Sequence, residues 1–135
     1  MQLKLRRNQR AGITGGVVFI LDVMAELSSE ETELVKKYKL QKLLVYSSES
    51  ADQNVAMARA GNVKALGGMM LDKLTKRTFS MNDLIKGQHL ECKDLDEVIG
   101  TENQVHEACQ NISHYLAVAK SFDGSEQIVE ITAAA

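Results

Sequence analysis

Residues Val17 to Glu26 read Val-Val-Phe-Ile-Leu-Asp-Val-Met-Ala-Glu. This run of β-branched and aromatic side chains commits the chain to a sheet. In a strand, side chains alternate faces, so Val17, Phe19, Leu21, Val23 and Ala25 share one side. Val18, Ile20, Asp22, Met24 and Glu26 take the other. Gly12, Gly15 and Gly16 precede the run and read as a turn. Before them, Gln2 to Gln9 sets Leu3 and Leu5 against charged neighbours, the pattern of a short amphipathic strand. The two segments together predict an N-terminal hairpin.

Helix signals follow the hairpin. Ser28-Ser-Glu-Glu31 is a capping box, with Glu30 and Glu31 in the first turn and Lys36, Lys37 and Lys39 at the far end, and it predicts a helix from about Ser29 to Tyr38. Lys42 to Tyr46 reads as a strand. Gln53 to Ala60 favours a helix that Gly61 is placed to end. Across Ser50 to Leu74 as a whole, Val63, Leu66, Met70 and Leu74 recur at helical spacing, but Gly67 and Gly68 interrupt them. That stretch reads equally as a broken helix, a helical arm or a loop. Lys76 to Met81 reads as a strand, Asn82 to Gly87 as a turn and His89 to Lys93 as another strand. Thr101-Glu-Asn-Gln104 is a second capping box and predicts a helix to about Ala119, with Val105, Ala108, Ile112, Leu116 and Ala119 as its core stripe. Gln127 to Thr132 predicts a final strand. The expectation for residues 1–135 is a single α+β domain: a mostly antiparallel sheet beginning with the hairpin, its helices packed on one face.

Composition narrows the function classes. An apolar share of 44% excludes wholesale disorder. There is no Trp, and only three Phe and three Tyr, so base-stacking platforms are scarce and nucleic-acid binding is disfavoured. Residues 1–79 hold 13 Lys+Arg against 8 Asp+Glu, and residues 80–135 hold 3 against 10. This asymmetry suits a charged partner or contact between copies. It is explained more simply if the fold interleaves the two halves. The basic N-terminus followed by Val17 to Leu21 superficially resembles a secretory signal. The apolar stretch is too short for a signal core of ~7–15 residues, and far too short to span a bilayer. With two cysteines and no disulfide framework, a cytoplasmic protein without membrane contact is expected.

His89-Leu-Glu-Cys92 and His106-Glu-Ala-Cys109 use both cysteines and two of the three histidines. Four such side chains converging would suit tetrahedral zinc. The spacing argues otherwise: on a strand His89 and Cys92 point to opposite faces, with Leu90 beside Cys92, while His89, Glu91 and Lys93 face solvent. Cys109 falls within the core stripe of its helix, and His106 at its border. Two inward cysteines and two outward histidines are therefore expected. A Cys-His nucleophile lacks any recognisable surroundings.

Three further features bear on function. Gly12-Ile-Thr-Gly15-Gly16 precedes a strand rather than a helix, so it lacks the helix N-terminus of a phosphate cradle. Asp22 is a modest candidate for a functional carboxylate, and more simply a residue of a sheet's exposed face. Lys4, Arg6, Arg7 and Arg10 form a basic cluster that would meet phosphates or an acidic protein face. Alternation puts Lys4 and Arg6 on one side and Arg7 on the other, as on a solvated edge strand guarded by charge. No catalytic, cofactor-binding or metal-ligating residues are assigned and no cofactor is expected. The leading expectation is a small non-enzymatic binding or assembly protein, a homo-oligomer or one with a protein partner. The alternatives are a small-ligand or metal-binding protein or enzyme using the Cys/His region, and nucleic-acid binding through the basic N-terminal strand.

Overall fold

The N-terminal hairpin forms as the alternation demands. In a computed structural model, which describes residues 1–45, 47–61 and 78–122, β1 (Gln2–Ala11) pairs antiparallel with β2 (Val17–Glu26) from Gln2 opposite Glu26 to Ala11 opposite Val17. The turn between them closes by bonds from Gly12 N–H to Gly16 O (2.6 Å) and Gly15 N–H to Gly12 O (3.1 Å). Gly15 has φ +89°, which a residue with a Cβ adopts only at a cost. A third strand, β3 (Gln88–Cys92), pairs antiparallel with the other edge of β2, giving the order β1-β2-β3.

Four helices complete an α+β domain. They are α1 (Ser29–Tyr38), α2 (Ala51–Arg59), α3 (Met81–Lys86) and α4 (Leu95–Phe122), and they pack against the sheet. Leu21, Val23 and Ala25 of β2 and Leu90 of β3 meet Val105, Ala108, Ile112 and Leu116 of α4 in one buried core, as the alternation and the helical stripe predict. The capping box of α1 closes both ways: Ser28 N–H donates to Glu31 (2.9 Å), and Glu31 N–H donates to the Ser28 hydroxyl (3.2 Å). Gly61, with φ +81°, follows α2 as expected. On the far side of α4, Asn111 donates to Val45 O (2.7 Å). The Tyr115 hydroxyl donates to Ser47 O (2.7 Å) and accepts from Asn54 (3.2 Å). Those bonds fasten the segment between α1 and α2 to the long helix.

Three expectations are corrected. The second capping box is not where the last helix starts: α4 begins at Leu95, and Thr101 is buried in mid-helix, its hydroxyl 4.0 Å from Cys92 Sγ. The start is marked by Asp94, which accepts from Glu97 N–H (2.8 Å), while Glu97 accepts from Lys93 N–H (2.9 Å). Gly100 makes that first stretch look unlike a helix, but tertiary packing of Val98, Thr101 and Val105 carries it through. Asn82 to Gly87 is not a turn but most of α3, opened by a reciprocal box between Ser80 and Asp83. The strands expected at Lys42–Tyr46 and Lys76–Met81 meet, within the described residues, as one bridge between Leu44 and Ser80. The strand expected at Gln127–Thr132 and most of the ambiguous stretch after Gly61 lie outside the described residues. Among the described residues, no helix is long and apolar enough to cross a membrane.

Among the described residues, cations of the basic first half meet carboxylates of the acidic second half. Arg7 on β1 donates to Glu102 on α4 through two nitrogens (2.8 and 2.5 Å), and Arg10 on β1 pairs with Glu91 on β3.

Candidate functional site

Helices cover one face of the sheet, and the other presents Lys4, Arg6, Asn8 and Arg10 of β1, Val18, Ile20, Asp22 and Met24 of β2, and His89 and Glu91 of β3. The strand register builds a polar cluster at its centre. Asp22 stands opposite both Arg6 and His89, accepts from Asn8 Nδ2 (2.8 Å) and lies 2.5 Å from His89 Nδ1. The carboxylate therefore orients the imidazole. A shallow groove of about 370 Å³ runs beside this cluster, lined in part by Lys4, Arg6, Asp22, Met24, Gly87 and His89. Gly87, with φ +95°, turns the chain from α3 into β3 at one side of it. Toward the hairpin end, the Arg10–Glu91 pair joins β1 to β3 and so spans β2, and Ile20, opposite Glu91, is only 6% exposed.

The doubled His-x-x-Cys does not converge. His89 is on the open face and Cys92 on the covered one, while Cys109 is buried in α4 and His106 is exposed. Burial pushes the Cys109 thiol up to about 11, which leaves it protonated and a poor nucleophile. Among the described residues, no group of three or more His, Cys, Asp or Glu is placed to hold a metal ion. The glycine turn, with Glu91 and Glu97, lines a second cleft of about 440 Å³ at the hairpin end. Those two carboxylates make it a poor phosphate cradle.

The basic cluster is spread along an edge strand, and its charges are mostly engaged. Lys4 pairs with Glu26 (2.5 Å), Arg7 with Glu102, and Arg10 with Glu91. The hydrogen bond from Arg7, with its charge, holds the Glu102 carboxyl below the usual carboxylate range despite some burial. The bond from Lys4 does the same for Glu26. Arg6, opposite Asp22, forms none of the ion pairs found among the described residues.

A helix begun at Thr101 leaves out Leu95 and Ile99, which the structure places in the first turns of α4. Leu95 and Ile99 are 51% and 47% exposed. They precede Glu102 and His106 at offsets of four, three and four residues, which is one stripe of a helix. Because Glu102 of that stripe is bonded to Arg7, the stripe lies on the β1 side of α4. The Asp94-Leu-Asp-Glu97 spacing, read as a cap, would have found it. No known protein family, no curated protein and no solved structure matches this chain.

Proposed function

We propose that this protein is a non-catalytic binding module that takes an extended segment of another protein onto the edge of β1 that pairs with no other described strand. The observation that carries the reading is the way the β1 cations are engaged. An edge strand ordinarily keeps neighbours away with free charges, prolines or bulges. β1 is ten residues long and without proline, and it pairs in continuous register with β2. Three of its four cations are drawn sideways onto Glu26, Glu102 and Glu91 of the same molecule. In an antiparallel ladder, alternate residues of β1 point their N–H and C=O away from β2. Among the described residues, no backbone bond occupies that outward row. Main-chain bonds to such a row supply affinity for an extended peptide, and neighbouring side chains supply selection.

Catalysis is less well supported. Asp22 orients His89, yet among the described residues no hydroxyl or thiol is bonded to the ring for it to activate. Base stacking is also disfavoured, because among the described residues this face of the sheet carries no aromatic side chain other than His89.

The test is selection of displayed peptides on the immobilised protein, followed by mapping of the winners by amide hydrogen exchange. Protection of alternate β1 amides between Gln2 and Ala11 is expected. Winners that bind while leaving those amides unprotected, or an absence of winners, would overturn the reading.

A further inference from the structure

The sides of the β1 edge differ in chemistry, and the difference specifies a partner. On the open face of the sheet stand Lys4, Arg6 and Arg10, with Arg6 outside the ion pairs that hold the other two. On the covered face, the flank of α4 nearest β1 carries the half-exposed pair Leu95 and Ile99, one turn apart. A strand added to β1 projects alternate side chains to these two sides. Acidic side chains on one side would meet Arg6, and apolar side chains on the other would cover Leu95 and Ile99. We infer that the edge recognises an extended segment of another protein in which acidic and apolar residues alternate, with Arg6 as the selecting cation and Leu95 and Ile99 as the apolar shelf.

A second copy pairing through its own β1 fits less well. It would set Arg6 against a strand that holds no acidic residue, while Lys4, Arg7 and Arg10 are already held by carboxylates of their own molecule. Like charges facing each other across strands are destabilising.

This inference rests on β1 as the strand-acceptor edge, and the experiment separates the two. The probes are three synthetic octapeptides: one alternating Glu and Val, one alternating Lys and Val, and the Glu–Val peptide N-methylated at alternate residues. Binding is measured by fluorescence anisotropy, with exchange at β1 amides as the structural readout. The Glu–Val peptide is expected to bind and protect β1. Arg6→Gln is expected to weaken it severalfold, as is the double change Leu95→Gln with Ile99→Gln. The N-methylated peptide is expected not to bind, since its main chain cannot complete the ladder. Urea midpoints of both variants, expected within the wild-type range for exposed positions, show that the fold is retained. Equal binding of the Lys–Val peptide would overturn the partner chemistry while leaving strand addition standing. Peptides from the display selection that protect β1 while Glu–Val does not bind would do the same. Unweakened binding by the N-methylated peptide would overturn strand addition itself.

Discussion

At pH 8 a thiol that ionises near 11 is thiolate in roughly one molecule in a thousand, so Cys109 should alkylate far more slowly than a free thiol. Cys92 is also buried, packed beside Thr101. Mass spectrometry after brief iodoacetamide treatment should find neither modified in the native protein, and both modified in urea. Rapid native labelling of Cys109 would contradict its burial. Tyr115 makes a different kind of statement. Its hydroxyl joins Ser47 O and Asn54, so Tyr115→Phe removes two bonds and leaves a carbonyl with one partner fewer. We expect a loss of about 1–3 kcal/mol in urea unfolding. Inward cysteines were legible from the chain alone, because alternation in β3 and the stripe of α4 each put a thiol on the core side. The partners of Tyr115 were not, since Ser47 lies 68 residues away in an irregular segment with no periodicity to read.

Elements carry their own expectations. Gly100 sits inside α4 with φ not positive and open space where a Cβ would point. Gly100→Ala should therefore stabilise the protein by about 0.5–1 kcal/mol, seen as a higher urea midpoint. Ser28→Ala should cost about 1 kcal/mol through loss of the α1 cap. Its partner Glu31 gives a pH dependence. Burial raises its pKa, but the Ser28 N–H, the amino group of Met1 and the Ser28 hydroxyl together outweigh this and hold it below the ordinary value. A depressed folded-state pKa means stability that is present above the unfolded carboxyl range and lost as pH falls through the folded value. Glu31→Gln should therefore be less stable than wild type at pH 7, and the gap should close in acid, below about pH 4. A gap that stays constant with pH would remove the charge from the explanation. The two reciprocal boxes illustrate what local reading achieves. Ser28 with Glu31 is legible at once, whereas Ser80 with Asp83 works as well through a shorter side chain that reads like part of a turn.

For the whole molecule, salt separates two possible occupants of the β1 edge. Attraction to an acidic partner weakens as salt screens Arg6, whereas self-pairing of cationic strands would strengthen. Light scattering should show no rise in mass between low and high salt; a dimer that appears at high salt and protects β1 amides would make a second copy the occupant. The sequence by itself determined the hairpin and its faces, the first helix and its cap, and the core stripe of the last helix. Each is written in contacts between residues a few positions apart, where periodicity and capping chemistry act. Tertiary structure decided the rest. It placed β3 along β2, which brought His89 to Asp22. It carried α4 back through Gly100 to Leu95. It also bound Arg7 and Arg10 to carboxylates more than 80 residues away. Those arrangements depend on which surfaces meet once the core closes, and no local pattern encodes that. The basic cluster of the N-terminal strand accordingly folds into three ion pairs and one arginine outside them, on a strand whose outer edge pairs with no other described strand.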